Sequence, residues 1–595
     1  MQWDKDSCAD AGFLKIDLLG LGMLSAIERC VDEIARVRGE HVDLSRIALD
    51  DPEVFAAIQR AETTGVFQIE SRAQMQMLPR TLPADLDDLT VQVALVRPGP
   101  IQGGAVHPYI ERRKRLRADP GYQVPYEHPS LEPILRDTLG AIVFQDQVLE
   151  VSMALAGFSP GEAEGLRRVM SKRRSEEAMR AYRERFIDGA VARGVERDVA
   201  ERVFDQVKGF SGFGFPKSHS VAFGLLAYQS TWLRVHYGPE LLCALLNEQP
   251  MGFYPPDALA HEAQRRGFTV RPPEINASEV LCHAEPMAQA ADPAVRIGLG
   301  YIDGAREQEI RALVTERERG GTYGSLPELA SRSGAGRQTL ERLAWSGACN
   351  TLVAGLGDLQ GAERERAARR RALWEIGTLA TARRRDAGEQ LALPLDAAPA
   401  PALAPLNRWE RVVADYESTG VTLGDHPMTL LRGELPAHAV TTAALDEIAD
   451  STPVTLAGLV VARQRPSTAK GVVFMLLEDE TGQVNVVVLP PVYERHRLTV
   501  RTEPFVSIAG TLERREGTIN IIARRIGGLD RPDLPRAEVR HIEPPAHRRP
   551  EPATSADEQE LPAAAGAEGL RPAAAGGADL RAVAPTGHSW GRRGR

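Results

Sequence analysis

The strongest periodic signal in this 595-residue chain runs from Val221 to Tyr237, where Leu225, Leu226, Tyr228, Trp232 and Leu233 fall at helical spacing, with no proline and no glycine beyond Gly224. Apolar side chains three and four apart line one face, so the stretch predicts a long helix that buries one side. Leu24 to Arg38 carries the same period and predicts another amphipathic helix. FLKIDLL at residues 13 to 19 alternates instead, placing Leu14, Ile16 and Leu18 on one face of a strand and Lys15 and Asp17 on the other. At Phe158 a helix start is signalled by Ser159 as N-cap, Pro160 at the first helical position and Glu162 in the first turn. Alternation returns in five runs, Val454 to Val461, Val472 to Leu477, Val484 to Leu489, Phe505 to Leu512 and Ile519 to Ala523, with Glu480-Thr481-Gly482 as a hairpin turn. Five short strands of this kind fit an OB-fold barrel, which serves single-strand binding or protein contacts.

Between residues 295 and 352 short helices are separated by glycines. Gly298-Leu299-Gly300, with Gly304 after it, reads as the hairpin of a helix-hairpin-helix whose backbone amides hold a phosphate, although glycine also simply ends helices. From Pro532 onward Pro, Ala, Gly, Glu and Arg dominate, which predicts a disordered tail.

Composition narrows the function classes. With 72 basic against 81 acidic residues the net charge is −9, which argues against an indiscriminate polyanion binder and directs attention to local clusters. These are ERRKRLR at Glu111 to Arg117, RRVMSKRR at Arg167 to Arg174 and RERAARRR at Arg364 to Arg371, each of which taken alone is more often a solvated helix face than a nucleic-acid contact. The five cysteines are scattered without a CxxC pair, so neither a zinc ribbon nor a disulfide scaffold is indicated, and they suit a reducing cytoplasm. No signal peptide or membrane-length apolar run is present in the sequence.

Candidate chemistry concentrates in FDQVKGFSGFGFPKSHSVAFGLLAYQSTWLRVHY, Phe204 to Tyr237. Gly209, Gly212 and Gly214 permit sharp turns or close ligand approach, Phe210, Phe213 and Phe215 offer flat apolar faces, and Lys217, Ser218, His219 and Ser220 bring charge and donors to a helix start, where free N–H groups attract anions. From composition alone, a glycine-rich loop with a helix cap is an equally good account.

This segment resembles the fingers motif of the bacterial C-family DNA polymerases, the alpha subunits of DNA polymerase III, in which a Gly-aromatic-Gly-Phe run leads into Lys-Ser-His-Ser and then Tyr-Gln: Gly212 to Phe215, Lys217 to Ser220, Tyr228 and Gln229. The likeness extends through Thr64 to Gln68 with Glu70-Ser71, Arg97-Pro98-Gly99-Pro100, Gly140 to Val148 and Ala156 to Lys172, and covers about residues 3 to 530. The run Trp3 to Gly22 and the linker-plus-OB ending are most similar to the error-prone, damage-associated branch.

The resemblance implies an α+β multidomain chain: a C-terminal palm remnant at 1–24, largely helical fingers at 25–290, a tandem helix-hairpin-helix at 291–355, an Arg-rich helix and linker at 356–405, an OB-fold domain at 406–530 and a disordered tail at 531–595. It implies template-directed, error-prone synthesis across damaged DNA, with Asp17 as a catalytic, metal-binding aspartate and Mg2+ as cofactor. Nucleotide binding falls to Lys15, Arg97, Gly212, Gly214, Lys217, Ser218 and His219, and DNA binding to Arg167, Arg168, Lys172, Arg173, Gly298, Gly300 and Gly304. Partners would be primer-template DNA and dNTPs, and an accessory translesion protein or the sliding clamp. For the clamp the candidate peptide is Gln390 to Leu395, where a linker packing on its own domain is the more common explanation.

One departure stands out. The family's other two catalytic aspartates lie upstream in a Pro-Asp-x-Asp-x-Asp-Phe strand, with a PHP domain further upstream, and neither is in this sequence. Asp4 with Asp6 and Asp85 with Asp87 read as solvated carboxylates. The expectation is therefore a chain that needs a separate N-terminal polymerase part, with a non-catalytic DNA-binding or assembly module as the alternative.

Overall fold

The computed structural model describes the chain apart from residues 1–7, 9–10, 13–19, 172–175, 210–214, 380–382, 386–387, 391–399, 467–468, 516, 530–587 and 591–595. Helix α1 (Leu21–Arg38) lies between Gly20 and Gly39, both left-handed at φ 92 and 69, and buries Met23, Ala26, Ile27, Cys30 and Ile34 at the three-four spacing of an amphipathic helix.

Helices α2 (Pro52–Gln59), α3 (Arg72–Thr81) and α4 (Leu86–Leu95) surround one core of Val54, Ile58, Val66, Ile69, Leu78, Leu89 and Val93. After α5 (Val106–Ala118), helices α6 (Gln145–Ala156), α7 (Pro160–Ser171), α8 (Glu176–Ala192) and α9 (Arg197–Lys208) build another, around Phe158, Phe186 and Phe204. At the start of α7 the expected cap forms: Ser159 N donates to Glu162 Oε2 at 2.7 Å and Glu162 N to Ser159 Oγ at 3.4 Å, a reciprocal capping box.

The long helix of the periodic stretch is α10 (Lys217–His236), which adds Ala227 and Tyr228 to the α2–α4 core. It starts four residues before the apolar period because Lys217 to Ser220 make its first turn. It also lies tight on α4, since a Cβ at Gly224 would stand 3.1 Å from Thr90 Oγ1. Helices α11 (Gly238–Asn247) and α12 (Pro256–Arg265) pack with α1. A small sheet follows, in which β3 (Ala294–Arg296) runs parallel to β1 (Val270–Arg271) and antiparallel to β2 (His283–Glu285).

Helices α13 (Glu307–Gly320), α14 (Leu326–Arg332), α15 (Arg337–Ser346) and the Arg-rich α16 (Gly361–Thr378) share a core through Leu313, Leu329, Leu343 and Ala372. Helices α17 (Arg408–Thr419) and α18 (Pro427–Leu431) then pack Val413, Tyr416 and Met428 against Ala457, Leu459 and Phe505.

Those three residues sit on the five-stranded barrel of β4 (Pro453–Gln464), β5 (Val473–Glu478), β6 (Gln483–Val488), β7 (Phe505–Arg515) and β8 (Thr518–Gly528). Strands β4, β5 and β6 form an antiparallel meander, β8 pairs β6 in parallel and β7 antiparallel, and β7 closes the barrel on β4. Alternate residues Leu456, Met475, Val486, Ile508 and Ile521 fill its interior, as the period-two pattern expects. Among the described residues no helix is long and apolar enough to cross a membrane.

Candidate functional site

The N-terminus of α10 opens onto a row of stacked rings. His219 stands edge-on between Phe215, at 4.7 Å between centroids, and Phe223, at 4.3 Å. Phe223 meets Phe67 at 5.4 Å, and on the far side Arg97 lays its guanidinium 4.7 Å from the centre of the Phe215 ring. The i, i+4 spacing on α10 puts Phe223 under His219, while the Thr64 to Gln68 turn and the Arg97-Pro98 bend supply the two ends.

Lys217 is anchored where the helix begins. Its backbone N–H donates to Asp146 Oδ2 at 2.6 Å, and its Nζ lies 2.9 Å from Asp137 Oδ2, an ion pair that raises the Lys217 pKa. Ser218 is exposed beside it. Ser220, by contrast, is buried and donates to Thr90 O at 2.7 Å. Tyr228 and Gln229 also hold backbone: Tyr228 Oη donates to Ala48 O and accepts from Asp51 N, and Gln229 Nε2 donates to Leu44 O.

Behind Arg97 the support is polar and strained. Arg97 Nη2 donates to Gln68 Oε1, Gln68 is held at φ 71, and Arg97 Nε is buried with no partner. Burial lowers the Arg97 pKa, so the guanidinium is partly desolvated before any anion arrives. Two residues beyond Gln68, Glu70 is enclosed; burial pushes its carboxyl up to about 7, against the pull of the Gly65 and Phe253 amides.

A basic, aromatic-lined helix start with a desolvated guanidinium can take an anionic group beside a flat ring. Comparison with known proteins gives the family. The bacterial DNA polymerase III alpha subunit finger domain matches residues 23–194, a helix-hairpin-helix motif residues 267–357 and an OB-fold nucleic acid binding domain residues 454–527. A protein named error-prone DNA polymerase from Mycolicibacterium paratuberculosis is 43% identical over 531 residues, 89% of this chain and 46% of the relative. Proteins of the same name from Burkholderia pseudomallei and Anaeromyxobacter dehalogenans are 42% and 41% identical over 540 and 537 residues, 89% and 88% of this chain and 49% and 45% of theirs.

The chain belongs to the bacterial C-family DNA polymerases. It spans about half the length of the curated relatives it matches.

Set beside the residues that family likeness singles out, Arg97, Lys217, Ser218 and His219 come together at the start of α10. Lys15, Asp17, Gly212, Gly214, Lys172 and Arg173 lie outside the described residues, as do Leu391 to Leu395 of the clamp-like peptide. Gly20, which is described, packs on the rings: a Cβ there would stand 3.0 Å from Phe67 and 3.4 Å from Phe223. On α7, Arg167 and Arg168 both lean on Glu164, at 2.6 and 3.0 Å, and their hydrogen bonds draw its carboxyl down to about 2.

In the helix-hairpin-helix region the Leu299 and Gly300 amides already donate to Glu279 O and Val280 O. A Cβ on Gly298 or Gly300 would meet that same backbone at 2.4 and 2.7 Å, so both glycines serve a close chain approach. Gly304 turns at φ 76 ahead of α13, whose first turn carries Glu307 and Glu309. A further hairpin, Gly334-Ala335-Gly336, escaped the sequence reading; it opens α15, whose first turn has no acid.

Divalent-metal chemistry is general to polymerases, but the described residues do not form an oxygen-rich site for it. Among them the one grouping of three ligand atoms is His261, His426 and Glu478, whose two imidazoles suit Mg2+ poorly. Sequence reasoning gave no separate role to Asp137 or Phe223, and Asp146 and Phe67 entered only within the Gly140 to Val148 and Thr64 to Gln68 stretches of the family likeness.

Proposed function

We propose that this chain is the DNA- and nucleotide-gripping portion of an error-prone, template-directed DNA polymerase. The observation that carries the reading is the Arg97–Phe215–His219–Phe223 row at the start of α10, against which Gly20, three residues after Asp17, is packed. An incoming dNTP would set its phosphates against Arg97, Lys217, Ser218 and Lys15, with Gly212 and Gly214 allowing close approach and His219 facing the nucleotide. Primer-template DNA would be held by Arg167, Arg168, Lys172 and Arg173 and by the helix-hairpin-helix turns at Gly298, Gly300 and Gly304, with single strand passing to the barrel. Asp17 would bind Mg2+ together with carboxylates beyond this sequence, so extension requires the remainder of the polymerase. The sliding clamp or an accessory translesion protein would deliver the assembly to DNA in the cytoplasm.

A second reading is a non-catalytic DNA-binding or assembly module of a polymerase complex, which draws on the described residues forming no oxygen-rich metal site. Primer extension with Mg2+ and dNTPs, with an Asp17→Asn variant and DNA binding on the same samples, separates the two. Salt-dependent binding to primer-template DNA, with Asp17-dependent extension once an N-terminal polymerase part is supplied, is the expected result. Binding without any restored extension would establish the module, and no salt-dependent binding at all would end both readings.

A further inference from the structure

A buried polar seam joins the fingers to the barrel. His261 of α12 places Nδ1 2.6 Å from Glu478 Oε1 at the end of β5, and its Nε2 lies 3.0 Å from Thr422 O and 3.5 Å from Asp257 Oδ1. His261 is 6% exposed, Asp257 1% and Glu478 0%. Glu478 Oε2 accepts from Arg265 at 3.3 Å and from Gln483 Nε2 at 2.5 Å. Asp257 in turn accepts from Thr422 N and Tyr416 Oη, at 3.0 and 2.8 Å. Helix α12, the α17 segment with Thr422 after it, and the barrel thus each contribute to one hydrogen-bonded chain.

Around it lies an apolar seat in which Val461, Ala462 and Leu476 of the barrel share a core with Leu259 and Ala263 of α12. Apolar area supplies attraction without direction, whereas a buried ion pair admits one orientation, because any other leaves a charge unpaired. We infer that His261 and Glu478 are positioning residues whose buried ion pair fixes how the OB barrel sits on the fingers, and so where the barrel presents single-stranded DNA.

The cluster could instead hold a transition metal, since His426 Nε2 is buried, without a partner, and 3.5 Å from Glu478 Oε1. The backbone opposes this. Met428 N donates to His426 Nδ1 at 3.1 Å, so the neutral ring carries its hydrogen on Nε2 and turns an N–H, not a lone pair, toward Glu478.

The charge state favours the pair. Burial lowers the basicity of His261, but Asp257 and Glu478 outweigh it and lift the pKa to about 9, while Arg265 opposes them. The other facing ring is His426, at 5.0 Å between centroids. Burial raises the Glu478 pKa, but His261, His426 and Arg265 together bring it well below the usual carboxylate range. A raised histidine contributes fully below its ordinary 6.5 and loses its contribution as pH rises through about 9. The depressed carboxylate contributes above its ordinary 4.5 and loses its contribution as pH falls.

Hydrogen exchange of the whole chain, followed by mass spectrometry from pH 7 to 10.5 and corrected for intrinsic rates, tests the inference. The wild type is expected to lose protection at least tenfold in α12 and at the end of β5 with a midpoint near pH 9, while the β7–β8 hairpin stays protected. His261→Gln should show that loss already at pH 7, without a midpoint, and His438→Gln, at an exposed histidine, should behave as wild type. The inference is overturned by wild-type protection in His261→Gln, by an unchanged midpoint in that variant, or by loss of the β7–β8 protection together with the seam. A stoichiometric transition metal whose removal loosens α12 would also overturn it.

Discussion

Arg97 and Gln68 form one unit: the guanidinium that covers Phe215 is aimed by the side-chain oxygen of a residue held at φ 71. A non-glycine residue in that region persists only when its surroundings enforce it. Replacing Arg97 by Lys keeps the charge but removes both the planar stack and the forked donor. Loss of about 1–2 kcal/mol of anion affinity is expected, roughly tenfold in dNTP or primer-template Kd, with an unchanged melting temperature. Fluorescence anisotropy and a thermal melt on the same preparation would check both.

Tyr228 is fully buried and its hydroxyl carries two backbone groups, Ala48 O and Asp51 N. Tyr228→Phe should leave both unpaired and destabilise the fingers by about 1–3 kcal/mol. If the residue instead worked mainly on nucleotide, binding would fall with no change in the denaturation midpoint.

Glu70 gives a pH dependence of defined sign. Its folded pKa of about 7 lies above the ordinary 4.5, so the protonated carboxyl contributes stability fully below 4.5 and loses it as pH rises through about 7. Glu70→Gln should therefore gain stability relative to wild type between pH 5 and 8, by up to about 3 kcal/mol. Urea titrations at several pH values measure the difference, which should be flat below pH 4.5.

Gly510 sits where β7 slips register against β8, and a Cβ there would stand 2.6 Å from Ile522 O. Because the obstacle is backbone, it cannot swing aside. Gly510→Ala should destabilise the barrel by about 1–3 kcal/mol and weaken single-strand binding, while the fingers melt as before. Differential scanning calorimetry would resolve the two.

Elements whose residues are neighbours in sequence were legible. Helix α10, the Ser159 cap and the five barrel strands follow from local period and local hydrogen bonding. The Gly-aromatic and Arg-Pro-Gly-Pro motifs likewise pointed to Arg97, Lys217 and His219. What spacing could not convey is which polar groups are already committed. Arg167 and Arg168 both hydrogen-bond to Glu164, and carbonyl groups lie 2.4 to 2.7 Å from any Cβ added at Gly298 or Gly300, commitments that the spacing alone does not reveal. His261 and Glu478 are 217 residues apart, and no local pattern in either stretch announces the other.

The barrel also touches the fingers at another point, where Gln76 Nε2 of α3 donates to Asn520 Oδ1 of β8, which Asn485 Nδ2 also approaches, at 2.6 and 2.7 Å. Three uncharged amides can exchange one another for water with little net change, so this edge adds a second contact without fixing an orientation, and the alignment of barrel and fingers is left to the ionic seam.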